Sequence, residues 1–167
     1  MIIISRKYLL DRWCIRCNRN KPTPYIDRSF KYFKDTILDI GCGNGRNSRF
    51  LIDEGYNVIS FDMVDDYPYA IKLILGHDIF PLENNSIKTV LANYVFMFLS
   101  KEELDFTISE IKRVMDKEGV LIAELYPAKD SYYPSEESIL ELQRYIINEF
   151  DWVILRNSKC RFTLKNI

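Results

Sequence analysis

The sequence predicts a doubly wound α/β fold: a seven-stranded, mostly parallel sheet with an antiparallel C-terminal hairpin and helices on both faces. Three observations predict it. An apolar strand pattern in TILDIGCGNG, residues 36–45, runs straight into glycines at 41, 43 and 45. Beyond it, apolar strand-like runs alternate with helix-spaced segments, the order that builds a parallel sheet. The chain then closes on two short apolar runs separated by Asn157-Ser158-Lys159, a hairpin signal. Its 167 residues suffice for one such domain with its own core, so neither disulfides nor a structural metal is required.

Taken in order, residues 6–18 place Leu9, Trp13 and Cys17, with Leu10 and Cys14, on one helical face. Lys21-Pro22-Thr23-Pro24 ends that helix. Thr23 and Pro24 suit the cap and first position of the next, whose Ile26, Phe30 and Phe33 share a face. Residues 1–34 are therefore expected to form a helical lid ahead of a core over 35–167, within a single domain. Strand 1 spans 36–41, and a helix runs from the glycine loop to about residue 54, with Gly55 as its left-handed cap. Strand 2 covers 57–62; a compressed turn leads to strand 3 at 70–75; strand 4 covers 87–93. Ser100 and Glu103 form a capping box for a helix with Leu104, Ile108, Ile111 and Met115 on one face, closed by Gly119. Strand 5, 120–126, passes through a loop at 127–134 to a helix carrying Ile139, Leu142, Ile146 and Phe150. Strands at 152–156 and 161–165 complete the sheet.

The sequence opens MIII before Arg6 and Lys7, and its longest apolar run, 90–99, contains Asn93 and Tyr94. Neither is a signal peptide core or a bilayer span, so a soluble, cytoplasmic protein with no membrane partner is expected. Cys14 and Cys17 form a lone CxxC whose only further partners for a metal are Cys42, Cys160 and the single His77; no metal site is expected, and two small buried side chains are the favoured reading. The formal net charge of −1 is uneven: residues 1–34 hold nine basic residues against Asp11 and Asp27, so that segment carries +7 and the remainder −8. Such asymmetry suits a solvated helix face, or steering of an anionic substrate or nucleic acid. No heptad or interface pattern identifies an oligomeric state.

The glycine loop places flexible backbone and helix-opening amides against a ligand at the carboxyl edge of the sheet, which calls for a nucleotide-like cofactor. A dinucleotide fingerprint wants its third glycine at position 46, where Arg46 stands and would crowd a pyrophosphate. A nicotinamide oxidoreductase is thereby disfavoured. Asp62 ends strand 2, seventeen residues after Gly45, where a carboxylate can accept both ribose hydroxyls of an adenosine.

LDIGCGNG and the segments around it, over residues 35–130, resemble the class I S-adenosylmethionine-dependent methyltransferases, whose fold is Rossmann-like; the compact layout is similar to the small-molecule and tellurite-resistance-type members. The resemblance implies S-adenosylmethionine as cofactor. It implies that Asp39, Gly41, Cys42 and Gly43 hold its methionine end, with Gly45 also binding the cofactor, although Asp39 also reads as an acid that orders the loop. Met63 would cover one adenine face or fill core. Gly76-His77-Asp78-Ile79 is similar to the family's adenine-recognising segment, with Asp78 accepting from the exocyclic amine and the Ile79 amide meeting a ring nitrogen. Lys88 departs from the acid the family carries there. His77, the only histidine, reads as structural.

Methyl transfer needs alignment and exclusion of water more than covalent help. Asn93, Glu124 and Tyr126 are the catalytic candidates, Asn93 touching the cofactor as well. Glu124 is either a general base or a salt-bridged structural acid, since a carboxylate on an apolar strand face is costly without a partner. Arg16, Arg19, Tyr94, Lys129, Tyr132 and Tyr133 are candidates to hold an anionic or planar substrate. Asn93-Tyr94-Val95-Phe96 lacks the two prolines of amino-directed DNA and protein methyltransferases. That departure counts against transfer to a planar amide or base amine and favours a small-molecule acceptor; the alternatives are an RNA- or nucleotide-modifying enzyme, motivated by the basic amino-terminal segment, and a cofactor-binding partner protein without turnover.

Overall fold

The computed structural model describes residues 21–64 and 67–167. The segment predicted as a helix over 6–18, with Cys14, Cys17, Arg16 and Arg19, lies outside the described residues. The first described helix, α1 (Pro24–Ser29), starts at its proline as the sequence predicts, and runs into a 3₁₀ turn, Phe30–Tyr32. The Ile26 amide donates to the Thr23 carbonyl at 2.9 Å, so Thr23 caps through its backbone.

The sheet comprises β1 (Ile37–Ile40), β2 (Val58–Asp62), β3 (Ile71–Lys72), β4 (Ile87–Asn93), β5 (Met115–Glu124), β6 (Val153–Ser158) and β7 (Arg161–Lys165). Its spatial order is β3-β2-β1-β4-β5-β7-β6, with β7 antiparallel to both neighbours and the other pairings parallel. The strand order reverses between β1 and β4, the switch point where ligands bind in such sheets. Helix α2 (Arg46–Asp53) leaves that switch point; α3 (Lys101–Val114) and α4 (Glu136–Phe150) complete the layers.

Strand alternation sorts the core into two. Leu38, Ile40, Val90, Ala92, Leu121 and Ala123 face one cluster with residues of α3 and α4, whereas Ile37, Leu91, Val120 and Ile122 face Tyr25 and Ile26 of α1 and Leu51 of α2. The same alternation turns Asp39, Asp62, Asn93 and Glu124 toward the α1 and α2 side. Register then sets three of them in line. Ile40 pairs with Phe61 and Ala92, and Asn93 pairs with Glu124, so Asp62, Gly41, Asn93 and Glu124 stand abreast at the carboxyl edge, each roughly 4.8 Å from the next.

Three predicted boundaries move. Strand 3 stops at Lys72, with the Leu73 amide still on the Asp62 carbonyl at 2.9 Å, because the Asp78 carboxylate accepts the Ile74 amide at 2.8 Å and the Ile74 carbonyl takes the His77 and Asp78 amides, closing a turn that draws Ile74 and Leu75 out of the sheet. Helix α3 ends at Val114, not Gly119: Met115 already pairs with Ile87, and residues 116–119 bulge out before Val120 pairs with Thr89. Glu118, at φ 64°, takes the left-handed position expected of Gly119. The hairpin turns at Lys159-Cys160 because Asn157 and Ser158 continue the ladder, pairing with Phe162 and Arg161. Other terminators stand where the sequence puts them. Gly55 is left-handed at φ 91°, with the Tyr56 amide on the Leu51 carbonyl at 3.0 Å, and Ser100 and Glu103 make the reciprocal capping box.

Candidate active site

The loop between β1 and α2 is tied to β2. The Gly41 and Cys42 amides donate to the Phe61 carbonyl at 2.8 and 3.1 Å, and the Gly43 amide donates to Asp62 Oδ2 at 2.7 Å. Asp62 Oδ1 accepts the Val64 amide at 2.9 Å. Asp62 thus braces the loop on both flanks and lines the cleft. Gly45 needs its missing side chain: at φ 73° an added Cβ would meet the Tyr67 ring at 2.5 Å. Gly43, at φ 56°, has nothing within 4 Å of where a Cβ would stand. Loop backbone is thus bared to open space, a cradle for a ligand.

That cleft, about 230 Å³, is lined by the loop, by Met63 and Val64, by Leu73 to Leu75, by Asn93 to Val95, and by Phe98 and Leu99. Glu103 and Tyr132 close one side. Asn93 is only 9% exposed, and its Oδ1 has no hydrogen-bond partner among the described residues. An unsatisfied buried acceptor costs about 1 to 3 kcal/mol, a cost that a donor on a bound ligand would remove. Tyr94 is left-handed at φ 59°, pinned by its amide on the Glu124 carbonyl at 2.8 Å. Burial and the Glu124 charge push its hydroxyl well above the ordinary tyrosine range.

Glu124 is 2% exposed and does not line the cleft. Arg161 Nε donates to its Oε1 at 2.5 Å, while Oε2 lacks a partner among the described residues. It reaches the cleft only through Tyr94. Asp39 also lies behind the cleft wall, accepting from Ser48 Oγ at 2.6 Å, with Ser60 donating on to Ser48 at 2.9 Å. Burial pushes the Asp39 carboxyl up to about 7, against the Ser48 hydrogen bond and with help from the Asp62 charge. Cys42 lines the cleft as a thiol, its ionisation opposed first by burial.

Other predicted site residues lie elsewhere. Asp78 folds back on Ile74, and Ile79 is 70% exposed; neither lines the cleft, because the turn that ends β3 offers Leu73 to Leu75 instead. His77 Nε2 sits 3.0 Å from Glu103 Oε1, joining that turn to α3. Tyr126 is 56% exposed, its ring edge-on to Tyr94 at 6.4 Å. Lys129 is exposed away from the cleft, and Tyr133 packs beside Lys101 and Tyr145 between α3 and α4. Among the described residues no cluster could hold a metal ion, and no helix is long and apolar enough to cross a membrane.

Sequence reasoning missed the apolar wall of Leu73, Leu75, Phe98 and Leu99, which read as strand and core. It also missed Glu103, whose capping role masked its place on the cleft. The cleft therefore offers an acid beside a glycine loop with open space at Gly43, an apolar slot, and a polar end at Arg46, Asn93 and Tyr94.

Residues 38–123 match the family described as "Methyltransferase domain". The chain is 29% identical over 87 residues to a probable S-adenosyl-L-methionine-dependent methyltransferase TehB of Haemophilus influenzae, covering 46% of this chain and 30% of that protein. It is 28% identical over 103 residues to phosphoethanolamine N-methyltransferase 1 of Triticum aestivum, covering 53% and 20%. The chain thus spans less than a third of either relative's length. Its fold is that of the 1,6-didemethyltoxoflavin-N1-methyltransferase of Burkholderia thailandensis, solved with S-adenosylhomocysteine, at TM-score 0.69 and 12% identity over 96% of this chain and 84% of that one.

Proposed function

Because this chain belongs to the methyltransferase-domain family, we propose that it binds S-adenosylmethionine in the β1–β4 cleft and transfers its methyl group to a small-molecule acceptor. The observation that carries this reading is the pairing of Asp62 with the bared Gly43 backbone, abreast of an unsatisfied Asn93. Asp62 takes the ribose hydroxyls. Met63, Leu75 and Phe98 sandwich the adenine, so that packing does what Asp78 and Ile79 were expected to do. Gly41, Cys42, Gly43 and Gly45 supply the backbone of the other end, and Asp39 stiffens that loop through Ser48.

The bound cofactor supplies an already reactive sulfonium methyl. The chain's part is to align the acceptor and exclude water. Asn93 and Tyr94 flank the polar end of the cleft, where they orient the acceptor. Glu124, held by Arg161, keeps the Tyr94 side chain in place, and Tyr126 borders the rim.

A small acceptor is supported by the absence of prolines after Asn93. The names of the Burkholderia and Triticum relatives, each a methyltransferase of a small compound, support it as well. Methyl-labelled cofactor incubated separately with a metabolite extract and with total RNA tests the proposal. Label in small-molecule fractions supports it. Label in RNA, with binding that weakens steeply as salt rises, favours the nucleic-acid reading motivated by the +7 amino-terminal segment. Labelling of neither fraction points to a binding protein without turnover.

A further inference from the structure

The closing hairpin carries an arginine whose direction is set by a bulge. In β6, Ile154 pairs with Leu164 and Arg156 pairs with Thr163, so Leu155 is an extra residue with no partner of its own in the ladder. Partners across a ladder point to the same face of the sheet. Leu164 belongs to the core cluster under α3 and α4, whereas Thr163 Oγ1 lies 3.2 Å from the Tyr25 hydroxyl of α1. Without the extra residue, Leu155 would oppose Thr163 and Arg156 would face α4. With it, the Arg156 guanidinium lies over the Tyr25 ring at 5.4 Å, on the side of the sheet that carries Asn93 and Glu124.

The second observation is electrostatic. The other cations of that hairpin each hold a carboxylate: Arg161 Nε donates to Glu124 Oε1 at 2.5 Å, Lys159 lies 2.7 Å from Glu136, and Lys165 pairs with Glu118. Arg156 is half-buried and has no carboxylate partner among the described residues. Its guanidinium shares the Tyr25 ring with that of Arg161, which lies 5.6 Å from the same centroid, so two positive charges stand beside the single carboxylate of Glu124. A partly desolvated guanidinium without a counter-ion is matched to an anion that accepts from its planar fork. The register brings this cation near the proposed reaction centre. Asn93 pairs with Glu124 and Glu124 with Arg161, which sets Arg161 two strand spacings, roughly 10 Å, from the polar end of the cleft. We propose that the methyl acceptor is an anionic small molecule, its nucleophile at Asn93 and Tyr94 and its carboxylate or phosphate bound by Arg156 beside the Arg161–Glu124 pair. This rests on the proposed methyl-transfer site and names the class of its acceptor.

A metabolite extract split on an anion-exchange column tests it, with the retained and unretained fractions each incubated with the full chain and methyl-labelled S-adenosylmethionine. Label should appear in the retained fraction. Phosphatase treatment of the labelled product separates the two sources of charge: a phosphate monoester loses its retention and a carboxylate keeps it. In a dilution series of the retained fraction, Arg156→Gln should raise the half-saturating acceptor concentration about 10- to 100-fold, the range of a charge-assisted hydrogen-bond pair, at an unchanged maximal rate. Arg156→Lys should recover part of that loss. Both variants should bind S-adenosylhomocysteine within about twofold of wild type by calorimetry, which excludes unfolding as the cause. Label confined to the unretained fraction, an unchanged half-saturating concentration in Arg156→Gln, or a matching loss of S-adenosylhomocysteine affinity would overturn the anionic acceptor and leave methyl transfer standing. A wild type that labels neither fraction overturns both.

Discussion

Replacing Asp39 with asparagine isolates the electrostatic cost of the acid beneath the glycine loop. The carboxyl is 1% exposed and accepts one hydroxyl, from Ser48 at 2.6 Å. Burial lifts it from an ordinary 3.8 to about 7, and the negative charge of Asp62 adds to the rise. Between those two values the folded protein holds a proton that the unfolded chain has released. Linkage then makes stability fall as pH rises through the window, since the folded state binds more protons there. At about 1.4 kcal/mol per pH unit, the loss from pH 4 to pH 7 approaches about 4 kcal/mol, and it levels off above pH 7. Asparagine keeps the acceptor for Ser48 and does not titrate. Urea denaturation of both proteins from pH 4 to 8 should show Asp39→Asn gaining on wild type by up to that amount across the window. A stability difference that stays flat with pH, or a wild type that gains on the variant as pH rises, would refute the reasoning.

Gly45→Ala should destabilise by about 2 to 4 kcal/mol, combining left-handed strain with a clash on the Tyr67 ring; chemical denaturation measures it. Arg161→Met leaves Glu124 buried without its partner and should cost about 2 to 3 kcal/mol, allowing for screening of the half-exposed arginine. Adding Glu124→Gln should recover most of that loss, and strictly additive single effects in the double-mutant cycle would contradict the pairing. Ser100→Ala breaks the α3 capping box and should cost about 1 kcal/mol in the same assay.

The fold was legible because strand and helix periods repeat cleanly from Thr36 onward, and because Gly55, Ser100 and Pro24 are local signals that tertiary packing does not override. Where the reading failed, a side chain intervened from outside the local pattern. The Asp78 carboxylate closes the turn that cuts strand 3 short, and early pairing of Met115 with Ile87 ends α3 before its glycine. Neither event leaves a periodic trace. The site divided in the same way. Asp62 and the loop glycines are named by spacing, because the β1–β2 register obliges them to meet. The apolar slot is built from Leu73, Leu75 and Phe98, whose sequence environment looks like any core.

The most direct measurement is a calorimetric titration of the chain with S-adenosylhomocysteine, repeated on Asp62→Ala and with a nicotinamide dinucleotide. One saturable site for the nucleoside, weakened about 10- to 100-fold by Asp62→Ala, and no heat from the dinucleotide, is the expected result. A wild-type chain that leaves S-adenosylhomocysteine unbound at millimolar concentration, or that takes the dinucleotide equally well, would contradict the assignment of this cleft.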